Sequence, residues 1–221
     1  MGLGIASKWI GMYAGAGLAV TFFYCLYLRW RESRILAKTQ GGAVMKAFWK
    51  NALLTCAFCV LAFLVIPALI YMASYTQYFM IRGGKTLADW WEAQQYMFNY
   101  HSKLVDSHPY ASPWYEWPLI IRPMWYYKGN HDGWIATINA MGNPAVWWVG
   151  LAAMLWLIGR KCAGKARNLP ATLLIIGVAA QFLPWVLVPR STFIYHYFAS
   201  VPFIIWAICY FVSEHFENAD P

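Results

Sequence analysis

NALLTCAFCVLAFLVIPALIYMAS, residues 51–74, contains no charged side chain. A helix rises 1.5 Å per residue, so about 20 apolar residues cross a hydrocarbon core of ~30 Å. This stretch therefore reads as a membrane span. Similar runs lie at 9–28, 143–159, 170–188 and 193–212. Composition agrees, since the 221 residues are 61% hydrophobic and 12% charged, whereas roughly a quarter of the residues in a soluble domain are charged. The chain reads as an all-α polytopic membrane protein of five transmembrane helices, without an internal repeat or low-complexity segment.

The net charge of +8 does not point to nucleic acid, because the basic residues cluster at the ends of apolar runs, where they report topology. Arg29, Arg31, Arg34, Lys38, Lys46 and Lys50 share one connection with Glu32 alone against them, and Arg160, Lys161, Lys165 and Arg167 share another without an acid. Both connections are expected to be cytoplasmic. From Tyr75 to Trp134 five basic residues (Arg82, Lys85, Lys103, Arg122, Lys128) are matched by Asp89, Glu92, Asp106, Glu116 and Asp132, so that segment is expected outside. Met1 then falls outside and the C-terminus inside. The start of the chain has no basic region or small-residue cleavage site of a signal peptide. Cys25, Cys56, Cys59 and Cys209 sit in apolar runs and Cys162 in a cytoplasmic turn, which is no disulfide framework. Cys56 and Cys59 spell C-x-x-C, but on a membrane helix i and i+3 simply share a face.

Three regions follow: residues 1–74, two membrane helices with a basic cytoplasmic connection; 75–142, an extracytoplasmic loop with surface helices; and 143–221, three membrane helices with a short cytoplasmic tail. Gly41 and Gly42 are expected to separate two short amphipathic stretches lying along the headgroups. Thr86 to Val105 is expected to form one or two surface helices anchored by Trp90 and Trp91. The loop continues as HPYASPWYEWPLIIRPMWYY, residues 108–127. Its Trp and Tyr rings settle at the membrane–water boundary, and Glu116 and Arg122 place ionisable chemistry among them. Pro109, Pro113, Pro118 and Pro123 break it into turns. Asn143 before Pro144 is a helix N-cap.

The patterns H-P-Y-A-S-x-W-Y-x-W-P-L-x-x-R-P-x-W-Y-Y at 108–127, I-x-x-M-G-N-P-A-V-W-W at 138–148 and P-x-x-F-I-Y-H-Y-F-x-x-x-P-F at 189–203 resemble the C-terminal membrane region of protein O-mannosyltransferases. Residues 2–18, GLGIASKWIGMYAGAGL, resemble a mid-protein segment of the same enzymes. The resemblance covers almost the whole chain in the same order. It implies part of a C-type glycosyltransferase fold and transfer of mannose from polyprenyl-phosphate mannose to Ser or Thr hydroxyls of acceptor proteins at the extracytoplasmic face of the cell membrane. It also implies membrane lipids as surroundings, and secretion machinery or a homologous subunit as further partners. Eukaryotic members insert a β-trefoil domain into the outer loop, and this loop is too short to hold one, which resembles a bacterial member. The family's catalytic Asp-Glu pair lies in its first outer loop, and no Asp-Glu dipeptide occurs here. The chain is therefore expected to be a C-terminal part, inactive alone.

Glycosyl transfer from a lipid phosphate needs a base for the acceptor, positive charge for the leaving phosphate and a groove for the isoprenoid. Arg190, after Pro189 at the outer end of a span, is the first candidate for the donor phosphate. Tyr195 and His196 follow it, with His196 expected on a helix beginning near Ser191; interfacial snorkelling and simple packing are the structural alternatives. Arg122 is a second phosphate candidate or a partner locking Glu116. Lys8, beside Trp9, is a third or an interfacial anchor. Glu116 is the candidate for acceptor positioning or catalysis. Trp114, Tyr115, Trp117, Pro118 and Pro123 are expected to form the loop scaffold. Gln181 is read as a helix-packing amide. His101, His108, His131 and Asp132 match no metal-ligand spacing, and no metal or other cofactor is expected beyond the lipid-linked donor.

Two classes of function remain: the C-terminal part of an inverting mannosyltransferase, or a non-catalytic accessory subunit that binds lipid phosphate or a full-length homologue. A transporter is disfavoured by spans nearly free of polar groups and by the lack of a repeat.

Overall fold

The computed structural model describes residues 1–84, 86–104, 107–166 and 168–216. Lys85, Asp106 and Arg167, which entered the charge pattern, and the tail from Glu217 lie outside the described residues. Five helical stretches among the described residues are long and apolar enough to cross a membrane: Gly11–Gln40, Ala43–Arg82, Pro144–Cys162, Leu169–Leu187 and Ile194–Phe216. The chain divides into two compact units, Met1–Met97 and Phe98–Pro221.

In the first unit α1 (Gly2–Ser7) leads into α2 (Gly11–Gln40). The expected headgroup stretches are not separate pieces. Residues 29–40 continue α2, and α3 (Ala43–Val60) takes in 43–50. Intrahelical hydrogen bonding continues past the first basic residue, and the break falls at Gly41. There φ is 85° and the Gly41 N–H closes on the Ala37 carbonyl at 3.1 Å, a conformation that glycine reaches at little cost. α3 runs through a π-helical stretch, Leu61–Val65, into α4 (Ile66–Ser74). Pro67 has no N–H to donate and its ring crowds the preceding turn, which a widened turn accommodates. Pro67 and Gly2 are both buried where α1 crosses α4, with no room for a Cβ on Gly2. After α5 (Thr76–Arg82), Thr86 and Asp89 form a reciprocal cap on α6 (Leu87–Lys103), with Asp89 N–H to Thr86 Oγ1 at 3.2 Å and Thr86 N–H to Asp89 Oδ2 at 2.8 Å. Trp9 Nε1 donates to Tyr71 Oη at 2.7 Å and Tyr71 donates to Gln94 Oε1 at 2.6 Å, pinning α6 to α4.

In the second unit the loop expected to carry surface helices and turns also carries strands. β1 (Met124–His131) and β2 (Trp134–Ala140) form an antiparallel hairpin. Its turn, His131-Asp132-Gly133-Trp134, has φ of 35° at Asp132 and 89° at Gly133, the left-handed pair that matches strand twist. Asp-Gly flanked by β-branched and aromatic residues is the signal in the sequence that marks such a hairpin. A bulge interrupts the register between Trp125 and Tyr127.

α7 (Pro144–Cys162) starts on the expected cap: Asn143 Oδ1 accepts from Ala145 N–H at 2.9 Å. α8 (Leu169–Phe182) starts on Asn168 and ends in a 3-10 turn, Leu183–Leu187. A 3-10 stretch, Ile194–Ser200, leads into α9 (Val201–Phe216). Ala153, Met154, Leu157, Ala171, Leu174 and Ala207 make the buried core of these helices. The helices approach closely through small residues, with Gly150 of α7 facing Ile204 and Gly177 of α8 facing Phe203. At the end away from the hairpin, Arg160 pairs with Glu214 at 3.2 Å, and Asn168 Nδ2 donates to Tyr210 Oη at 2.8 Å.

Candidate functional site

The loop after α6 and the connection after α8 are fastened to each other. Ser112 N–H donates to the Thr192 carbonyl at 2.8 Å, and the Thr192 hydroxyl donates back to the Ser112 carbonyl at 2.8 Å. Trp117, fully buried in the 3-10 turn Trp114–Leu119, donates its indole N–H to Ser112 Oγ at 3.0 Å and to the Ser112 carbonyl at 3.1 Å. Its ring packs edge-on to Trp185 with centroids 5.4 Å apart, and Trp114 packs edge-on to Phe182 at the same spacing. These contacts fix the chain on both sides of Arg190.

His196 is buried between the rings of Trp185, at 4.1 Å, and Trp117, at 5.8 Å. It does not stand on an α-helix starting near Ser191. It lies in the 3-10 stretch, where Nδ1 sits 3.1 Å from Phe193 N–H and 2.9 Å from the Phe193 carbonyl. The helix does not begin at Ser191, because Phe193 is extended and the His196 side chain closes a tight cap on it. The cap holds Phe193 stacked on Tyr195 at 5.5 Å, and Tyr195 stacks on Tyr126 at 6.4 Å. Tyr126 is the residue that the β1 bulge sets out of register, and sequence reasoning missed it for that reason.

Arg190 is half-buried, and its charge reaches both His101, at the end of α6, and Tyr195. No carboxylate among the described residues forms an ion pair with it. Burial first, and the neighbouring Arg190 charge second, hold the His101 imidazole below its ordinary value of 6.5. Among the described residues no group of three or more His, Cys, Asp or Glu is placed to hold a metal ion.

The remaining candidates separate. Arg122 does not lock Glu116; it donates to the Ala111 carbonyl at 2.8 Å, a backbone acceptor that the turns at Pro113 and Pro118 bring within reach. Glu116 turns one carboxylate oxygen, Oε2, inward, where it is buried without a hydrogen-bond partner among the described residues, an arrangement that calls for an explanation. Of the loop residues, Pro118 is buried, Trp114 and Pro123 are partly so, and Tyr115 is 60% exposed with its ring edge-on to Trp114 at 5.7 Å. Lys8 lies in the first unit, at the C-cap of α1.

Residues 86–220 match the family described as the C-terminal four TMM region of protein-O-mannosyltransferase. A polyprenol-phosphate-mannose–protein mannosyltransferase of Mycolicibacterium smegmatis is 23% identical over 249 aligned residues, covering 97% of this chain and 45% of the relative. The Corynebacterium glutamicum protein of the same name is 25% identical, covering 93% of this chain and 44% of its own length. This chain thus spans under half the length of these relatives. Among solved structures, a Saccharomyces cerevisiae protein O-mannosyltransferase complex of two subunits bound to the sugar donor aligns with a TM-score of 0.47 at 19% identity, over 57% of this chain and 19% of that one.

Proposed function

This chain belongs to the protein-O-mannosyltransferase family through its C-terminal membrane region, and we propose that it forms the donor-phosphate half of an inverting glycosyltransferase. The enzyme moves mannose from polyprenyl phosphate to Ser or Thr hydroxyls at the extracytoplasmic face of the cell membrane. In this reading the hairpin end of α7 faces outward, and the end bearing Arg160 and Lys161 faces the cytoplasm, following the distribution of basic residues.

The observation that carries the reading is Arg190. A half-buried guanidinium without a carboxylate partner among the described residues, at the turn between two apolar helices, has an unfilled anion-binding capacity at the depth of a lipid headgroup. In the transfer the acceptor oxygen bonds to C1 of mannose while the C1–O bond to phosphate breaks. The hydroxyl proton goes to a base, and polyprenyl phosphate leaves with the negative charge that Arg190 stabilises. Attack opposite the leaving group inverts C1. His196, enclosed by Trp117 and Trp185, acts as a positioning residue that holds the Phe193–Tyr195 turn beside Arg190. The buried Glu116 Oε2 is placed to take a hydrogen bond from an incoming acceptor group. With no Asp-Glu pair in these residues, the base comes from outside them.

The same absence supports a second reading, in which the chain is an accessory subunit that binds lipid phosphate without catalysing transfer. Membranes holding the chain alone, and the chain with any coding sequence in frame upstream of Met1, would be supplied with radiolabelled polyprenyl-phosphate mannose and a Ser/Thr-rich peptide. Transfer by the extended form alone supports the first reading. Transfer by neither form, with donor still retained by the chain, supports the second. Transfer by the chain alone would make Glu116 or another outer-loop acid the base. In an active form, Arg190→Ala should lower transfer by at least about tenfold, the equivalent of ~1.4 kcal/mol of transition-state stabilisation, while Arg190→Lys retains most of it. Equal residual rates would reduce Arg190 to an anchor.

A further inference from the structure

The β1–β2 hairpin has two unlike faces. Paired residues of an antiparallel ladder point the same way and alternate along each strand. The pairs His131 with Trp134, Gly129 with Ala136, and Tyr127 with Ile138 therefore share one face, and Asn130 with Ile135 and Lys128 with Thr137 share the other. On the first face Trp134 is 81% exposed, Ile138 58% and Tyr127 48%. Gly129 between them is buried beneath Tyr127 and His131 side chains, with no room for a Cβ, so this face is chiefly aromatic and aliphatic, with His131 as its polar member at the turn. The second face carries Lys128, Asn130, Thr137 and Asn139, with Ile135 and, at the root, Trp125 opposite Asn139 as its apolar members.

The root of the hairpin gives this surface its occupant. β2 ends at Ala140, and the Asn143 cap of α7 follows after two residues. The hairpin is thus anchored where a membrane helix begins. Strands of this length reach about 20 Å at ~3.3 Å per residue, enough to extend over neighbouring lipids. Trp and Tyr, with an apolar body and a polar tip, partition to the boundary between headgroups and acyl chains, and an element with one apolar and one polar face lies in that plane.

We propose that the hairpin is a membrane-surface finger whose Tyr127, Trp134 and Ile138 face rests in the headgroup–acyl boundary beside the N-terminus of α7, with Lys128 and Thr137 turned to water. The finger sets the height of the strand that carries Tyr126, and hence of the Tyr126–Tyr195 stack, relative to the leaflet. This inference depends on α7 spanning a membrane and not on the transferase reading.

Nitroxide labels at Ile138→Cys and Thr137→Cys, in the full chain with its five native cysteines replaced by alanine and the protein in lipid nanodiscs, test it. The two positions are adjacent in sequence, so misfolding of the hairpin would affect both alike and only their facing differs. The Ile138 label should be relaxed more strongly by oxygen, which concentrates in lipid, and the Thr137 label by a water-soluble nickel chelate. A third label, at Tyr127→Cys, should follow Ile138. Equal oxygen-to-nickel ratios at Ile138 and Thr137 would overturn the proposal. So would an Ile138 label open to nickel until a Ser/Thr-rich peptide is added, which would assign the face to the acceptor polypeptide.

Discussion

At the scale of single residues, Arg190 is half-buried beside the end of α6 and Tyr195. Arg190 has no ion-pair partner among the described residues, and its effect is felt by His101, which is depressed first by burial and then by that charge. A histidine depressed in the folded state adds stability that is fully present above the unfolded value of 6.5 and is lost as pH falls toward its lower folded value, because the unfolded chain binds the proton first. Replacing Arg190 by Ala removes the smaller of the two causes. The His101 midpoint, followed by NMR on histidine-labelled protein, should therefore rise but stay below 6.5. A midpoint unchanged by the substitution would place Arg190 too far away to act. The candidacy of Arg190 was legible from its position between two apolar runs. That of His101 was not, because the sequence holds no sign that the end of α6 lies beside residue 190.

At the scale of elements, the aromatic loop is a turn stapled to a connection 80 residues away by the Ser112–Thr192 exchange. Trp117→Phe keeps most of the ring but removes the indole donor to both Ser112 oxygens. It should cost about 1–3 kcal/mol, the usual range for a buried polar group left unpaired, and lower the thermal midpoint in detergent. Thr192→Val should cost a similar amount, and the double variant more than the sum, because either donor alone still satisfies the Ser112 carbonyl and their joint loss leaves it unpaired. A fully additive pair would show that the two bonds act independently. The proline and aromatic pattern announced a rigid loop, and rigidity is what the bonds supply. The hairpin was legible too, in Asp132-Gly133, but the aromatic residues around it read equally well as interfacial anchors. Periodicity does not distinguish those two uses.

At the scale of the whole molecule, the second unit relies on close helix approach at small residues. A Cβ on Gly150 would meet the Ile204 Cβ at 2.9 Å, a β-branched atom that cannot swing aside. Gly150→Ala should therefore destabilise by about 1–3 kcal/mol, as overpacking does, and Ile204→Ala in the same chain should restore part of the loss. Thermal unfolding of the two variants in lipid nanodiscs reads this coupling directly, and no recovery in the double variant would mean that α7 and α9 adjust by another route. The first unit shows the opposite regime. Its two spans, Gly11–Gln40 and Ala43–Arg82, bury 6% of their apolar windows, against 22–28% in the second, so they present most of their side chains outward.

The sequence alone determined that the chain carries five membrane-length apolar segments, roughly where they lie and which family it resembles. Length and absence of charge settle the first two through the cost of unpaired backbone and charge in hydrocarbon, a local property of each segment. Only the tertiary structure decided that Trp117 is buried against His196, that Arg122 serves the Ala111 carbonyl instead of Glu116, that Tyr126 reaches Tyr195, and that the outer segment folds into a two-faced hairpin. Each of these turns on which distant pieces of chain meet. That meeting is set by packing and by hydrogen bonds between segments, which no local pattern of residues encodes.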